Sequence, residues 1–259
     1  MPCHHLNPVN TAASPALVGL FACASGLSVA NVYYAQPLLD QIAADFAINP
    51  GAAGGVMAAT QVGSVLALLL VVPLGDQLNR RTLMLAQIGA LVAALVCLGI
   101  TGSAAIMLLA MMMVGLLGTA MTQGLIAFAA TAARPQEQGR VLGTVQGGVV
   151  IGLLLSRLAA GLISDLAGWR WVYLGSALVM AALALILCKV LPSQRPTAAP
   201  MAYPKLVLSM FVLLRNDRVL QIRGMLGLFI FAVLGIFWSA LVFLLTQAPY
   251  ELSPTIIGT

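Results

Sequence analysis

Residues 91–100 read LVAALVCLGI. No polar position interrupts the run, so it shows neither the two-residue alternation of a half-buried strand nor the polar stripe of a surface helix. A strand of a membrane barrel would alternate apolar and polar residues over about 10 positions. A segment apolar on every face reads instead as a helix set among hydrocarbon or other apolar helices. The stretch sits inside a longer one, 82–133, without a single Asp, Glu, Lys or Arg, and Gly102-Ser103 divides that run into two. Charge-free runs also cover 46–75, 171–188 and 224–250. A helix crossing the hydrocarbon core needs roughly 20 apolar residues.

The whole chain agrees. Of its 259 residues 61% are hydrophobic and 7% charged, against about a quarter charged in a soluble domain. The expected fold is all-α: a polytopic membrane helical bundle whose chief partner is the lipid bilayer. Seven spans are expected, at about 15–39, 52–75, 82–101, 104–131, 141–164, 171–191 and 224–247. The connections are short except for 192–223, which opens Pro-rich and continues with a short amphipathic piece, 205–215, read as an interfacial helix.

Basic residues orient the bundle. With the N-terminus in the cytoplasm, Arg80, Arg81, Arg134, Arg140, Lys189, Arg195, Lys205, Arg215, Arg218 and Arg223 fall inside, and Arg170 alone falls outside with Asp40, Asp45, Asp165 and Glu251. This placement accounts for the net charge of +5 without a nucleic-acid partner. Asp40 and Asp45 are expected to be solvated in an outer loop. Cys3, Cys23, Cys97 and Cys188 form no CxxC pair and read as small buried hydrophobes. The stretch Cys3-His4-His5 belongs to an N-terminal tail.

An internal repeat organises the chain. FAINPGAAG (46–54) matches YELSPTIIG (250–258) at a constant offset of 204, with Pro50 over Pro254 and Gly54 over Gly258. Asn or Ser before Pro is an N-cap followed by a first-turn proline. The expected division is a tail at 1–14, a six-helix half at 15–191, a central linker with its interfacial helix at 192–223, and the start of a second half at 224–259. Parallel six-helix halves joined by a long loop are a transporter design with the solute held between them.

Four stretches carry a resemblance: NVYYAQPLL (31–39), PLGDQLNRR (73–81), TQGLIAFAATAARPQEQGRVLGTV (122–145) and GLLLSRLAAGLISDLAGWRWVY (152–173). In them the chain resembles the major facilitator superfamily, and within it the bacterial sugar- and drug-efflux branch, similar to arabinose-efflux permeases and drug:proton antiporters. The resemblance implies twelve helices in a complete relative, so that this chain ends after helix 7 and at the start of helix 8 and is expected to be inactive alone. It implies a bacterial inner-membrane carrier exporting a small-molecule substrate by alternating access, driven by the proton-motive force and without a bound cofactor. It also implies that Gly75, Asp76, Arg80 and Arg81 form one side of a latch against a second half. That half would come from self-association or from a complementing C-terminal half. The loop departs from the family pattern at Gln77, which replaces Arg, and at Asn79, which replaces Gly; Asn tolerates a left-handed backbone, so the turn is expected to survive. Gly152 is followed by Leu153 where related antiporters carry Pro.

The residues point to no catalysis, because both histidines sit in the tail and no nucleophile set, metal cluster or phosphate loop is present; the chain is not read as an enzyme. The informative groups are polar side chains inside spans. Arg157 in span 5 costs roughly 2.5 to 3.5 kcal/mol on insertion scales, so it should face a cavity or a partner. Gln146, 11 residues earlier, lies about 20° around the same helix. Together they are candidates to line a solute path, with snorkelling to the outer interface or pairing with Asp165 as the structural alternative for Arg157. Asn31, Tyr34 and Gln123 are further candidates, and each could equally bond a neighbouring helix. No carboxylate stands mid-span, so proton coupling rests on the resemblance. Small residues recur every fourth position, as Gly51, Gly55, Ala59, Gly63 and Ala67 on span 2 and Gly148, Gly152, Ser156 and Ala160 on span 5. These stripes let backbones approach closely, either against the other half, as the resemblance implies, or within this one. A membrane scaffold or regulatory fragment without transport, including a decayed gene product, is the alternative function. A seven-span receptor is disfavoured by the inside N-terminus and the repeat.

Overall fold

The computed structural model describes residues 14–191 and 202–246. Its helices are α1 (Pro15–Tyr33), α2 (Ala35–Asp45), α3 (Pro50–Leu66), α4 (Leu74–Gln77), α5 (Arg80–Ile100), α6 (Ala104–Ala132), α7 (Gln138–Ala167), α8 (Trp169–Val190), α9 (Tyr203–Asn216) and α10 (Arg218–Thr246), with a π-helical turn at Ala67–Val71 after α3. Among the described residues there is no strand. Helices are what hydrocarbon demands, because only they satisfy backbone polar groups within one segment. Six stretches of the described chain are long and apolar enough to cross a membrane: Pro15–Asp45, Ala52–Val71, Arg80–Ile100, Ala104–Ala132, Gln138–Ala167 and Trp169–Val190. The first runs past position 39, to Asp45. Residues 224–246 of the expected seventh span lie on α10, a 29-residue helix, and residue 247 lies outside the described part.

Local chemistry sets the ends. Ser14 caps α1 through a bond from the Leu17 amide at 3.3 Å, with Pro15 in the first turn. Pro37 divides α1 from α2: it cannot donate to the Tyr33 carbonyl and its ring crowds that oxygen. Pro73 acts likewise after the π turn, where the Val72 amide reaches back five residues to the Ala67 carbonyl at 2.9 Å. Asn79 has φ −60° and ψ 113°, and its side chain accepts from the Arg81 amide at 3.0 Å. The left-handed turn expected there is therefore corrected: Asn79 replaces glycine as an extended N-cap. Between α2 and α3 it is Ala47 that turns left-handed, at φ 49°. The Ile48 amide bonds the Ala43 carbonyl at 2.8 Å, which closes α2 in a Schellman turn.

α6 runs through the middle. It packs on α1, α3 and α5, while α1 packs on α7 and α5 on α8. Its Met107, Met111, Met121, Leu125 and Phe128 are buried, and Phe128 meets Phe21 of α1 edge-on with ring centroids 5.4 Å apart. The closest helix contacts are made by glycines. A Cβ added to Gly26 would stand 2.6 Å from the Gly148 carbonyl oxygen; one on Gly152 would run into the Gly26 carbonyl, and one on Gly148 into that of Ala22. Gly63 of α3 lies against the Met112 carbonyl of α6, and Gly115 of α6 against that of Thr60. Ser64 and Thr119 add a hydroxyl bond of 2.9 Å across the α3–α6 contact.

The stripes expected from the resemblance to face another half thus turn inward at Gly63, Gly148 and Gly152. Gly55 has open space around it, and the surroundings of Gly51 lie outside the described part. The cysteines are corrected too: Cys23 and Cys188 are exposed on the bundle surface and Cys97 is half-buried. Cys3 and the second copy of the repeat, 250–258, lie outside the described residues.

Candidate functional site

The kink at Pro37 prepares the site. Gln36 sits in the last turn before the proline, and its Oε1 accepts from the Arg157 guanidinium of α7 at 3.1 Å. Both side chains are half-buried. The bond joins the first and fifth spans at the place where the first is bent. Gln146 shares the Arg157 face but is exposed, three turns nearer the arginine-bearing end; at 1.5 Å per residue the two lie about 16 Å apart along the helix. Asp165, the alternative partner for Arg157, is exposed near the other end of α7.

Asn31 and Tyr34 are brought together, but in the interior. Asn31 is 2% exposed. Its amide donates to the Leu27 carbonyl at 2.7 Å, and its oxygen accepts from the Ser176 hydroxyl of α8 at 2.6 Å. Tyr34 stacks edge-on against Tyr173, centroids 6.4 Å apart, and Tyr173 against Trp169 at 6.0 Å. In this conformation the pair joins α1 to α8 and offers a solute no surface. Gln123 is half-buried on α6. One residue on, Gly124 faces Gln87 of α5, which is 6% exposed and whose Oε1 has no hydrogen-bond partner among the described residues. Sequence reading missed both Gln36 and Gln87. The signals were a glutamine beside an in-span proline and, in the charge-free run 82–133, a second amide besides Gln123.

The two ends of the bundle are tied differently. At one, Arg80 donates to the Gly75 carbonyl at 3.2 Å, to Thr131 Oγ1 at 3.2 Å and to the Ala127 carbonyl at 3.4 Å. Arg81 reaches the Cys188 carbonyl at 2.7 Å. The cations thereby meet carbonyls in the last two turns of α6 and the last turn of α8, towards the negative ends of those helices. Of the expected latch, Gly75 and both arginines serve contacts inside this bundle; the Asp76 side chain is outside the described residues.

At the other end Asp45 is not simply solvated. It pairs with Arg170 and accepts from Trp169 Nε1 at 2.8 Å. Arg170 lies 4.6 Å from the Trp169 ring centre and donates to the Thr101 carbonyl at 3.3 Å. Gln41, Asp45, Trp169, Arg170 and Trp171 line an open cavity of about 500 Å³ here. Gly168 makes the turn into α8 at φ 89° and ψ 159°, a region open essentially to glycine alone.

A bundle of antiparallel apolar helices, with one arginine held inside a span and charges gathered at the two ends, is an integral membrane protein. Its family follows from comparison. The model of the Major Facilitator Superfamily matches residues 21–258, and the chain belongs to that family. It is similar to the uncharacterized transporter YgaY of Escherichia coli, 39% identical in strain K12 and 38% in O157:H7, over 245 residues in each case. It is also 30% identical over 184 residues to "Probable transporter SCO4007" of Streptomyces coelicolor, across 71% of this chain and 43% of that one. The YgaY matches take in 95% of this chain and 62% of each relative; the chain thus spans less than two thirds of the relatives it matches most fully.

Proposed function

We propose that the chain forms part of a carrier that exports a small anionic or polyhydroxylated solute across the bacterial inner membrane by alternating access, with its N-terminus in the cytoplasm. Transport follows from membership in a family whose matched relatives are named transporters. The observation that carries the site is Arg157, half-buried within a span and held by Gln36 at the Pro37 bend. A cation kept in hydrocarbon at a cost of roughly 2.5 to 3.5 kcal/mol needs a compensating role, and engaging a negative or hydroxyl-rich solute supplies one. Gln146, on the same face of α7, is the second contact. The matching wall comes from a longer chain, a second copy or a complementing half, and the proton-motive force drives the cycle.

Uptake into everted membrane vesicles tests this, using a panel of sugars, sugar acids and small drug anions and comparing the chain alone with the chain co-expressed with a complementing half. Uptake of a panel member, lost at least tenfold in Arg157→Ala and partly kept in Arg157→Lys at equal expression, is the expected result. Undiminished uptake in Arg157→Ala would remove Arg157 from the path.

A further inference from the structure

We propose that α9 is a membrane-surface strap that binds anionic phospholipid headgroups and lies in the plane of the bilayer between two membrane-crossing helices. Its depth is set at both ends. The Tyr203 hydroxyl donates to the Leu70 carbonyl at 2.6 Å, in the π turn that finishes the second span. The far end is a built corner: Asp217 accepts from the Val219 and Leu220 amides at 2.9 and 3.1 Å and so caps α10, while the Gln221 amide donates back to the Leu214 and Arg215 carbonyls at 2.9 and 2.8 Å and closes α9. A helix pinned at the end of one span and turned sharply into another lies at the level of the headgroups.

Its faces match that level. At 100° per residue, Lys205, Ser209 and Asn216 form one narrow polar stripe with Val212 at its edge, and Leu206, Val207, Met210, Phe211, Leu213 and Leu214 fill a broad arc opposite, with Leu208 and Arg215 between the two. Beyond the first turn this arc is not covered by the described chain: Phe211 is 51% and Leu213 57% exposed. Water would not favour that surface, and the acyl boundary would. Charge completes the match. Lys205 and Arg215 flank the arc, Arg218 and Arg223 follow on α10, and Asp217, the sole acid of 203–246, is used in the cap. Four cations around an apolar face suit a leaflet rich in phosphatidylglycerol, each worth about a fivefold change in binding. The Tyr203 bond would make the π turn of the second span the place where lipid binding is felt.

Spin labels on the full chain test this in lipid nanodiscs of phosphatidylcholine, with and without phosphatidylglycerol, after Cys3, Cys23, Cys97 and Cys188 are replaced by Ser. A label in Leu213→Cys should sit in the oxygen-rich acyl boundary and one in Ser209→Cys in water, with the Leu213 label deeper when phosphatidylglycerol is present. Adding Lys205→Gln, Arg215→Gln, Arg218→Gln and Arg223→Gln together should abolish that lipid dependence while a label in Leu178→Cys, on α8, keeps its depth. A water-exposed Leu213 label in both lipids would overturn the proposal. So would immobilisation out of reach of oxygen, the mark of a protein cover, or equal depth with and without anionic lipid. Nanodiscs present both leaflets alike, so the outcome is independent of orientation and of transport.

Discussion

The two ends of the bundle use arginine in opposite ways. Arg80 and Arg81 reach the carbonyl ends of α6 and α8, whereas Arg170 is paired with a carboxylate and laid over an indole. The first arrangement stitches three helices together through their exposed acceptors. The second neutralises the one basic residue that the charge bias leaves at that end. A chain of ring contacts, Phe46–Trp169–Tyr173–Tyr34, packs the same end.

Four substitutions separate the ends by size of effect. Gly168→Ala forces a residue with a Cβ into φ 89° and should cost about 2 kcal/mol, read as a lower unfolding midpoint in detergent. It should also shift Trp169 emission, because the turn aims that ring. An unchanged midpoint would mean that α8 can start elsewhere. Next, Arg81→Ala removes a cationic donor from the Cys188 carbonyl and should cost about 1 kcal/mol. Asp45→Asn should cost about half that, since its side chain is 40% exposed and such pairs are weak. Only the Asp45 effect should vanish in 1 M salt; equal salt sensitivity at both ends would erase the contrast between them. Of similar size but opposite sign is Ala47→Gly, which relieves the left-handed φ of 49° and should stabilise by about 0.5 kcal/mol.

Much of this was legible beforehand, and the misses share a cause. The spans follow from runs without charge, because the transfer energy of a span is a sum over neighbours in sequence. Arg157 stood out for the same reason, as the exception in such a run. The small-residue stripes were equally visible, yet their partner was not. Periodicity says that Gly148 and Gly152 share a face; that the face meets Ala22 and Gly26 depends on where α1 lies. Asn79 was read for its tolerance of a left-handed turn and serves as an N-cap, since the backbone there is extended. Polarity in an apolar span singles out Asn31, and only the packing of α1 against α8 brings the hydroxyl of Ser176, 145 residues away, to its oxygen.

Local chemistry therefore accounts for the class of fold, the bounds of the five apolar stretches between residues 52 and 190 to within a few residues, and the end at which positive charge collects. Each of these is an energy accumulated along a short segment. The fold in space assigned the rest: Gln36 to Arg157, Tyr203 to the Leu70 carbonyl, Asp45 to Arg170, and the glycine stripes to the inside of the bundle. The polar pairings among them join residues 121 to 133 positions apart. A side chain's periodicity names its face, and only the packing of whole helices decides what that face meets.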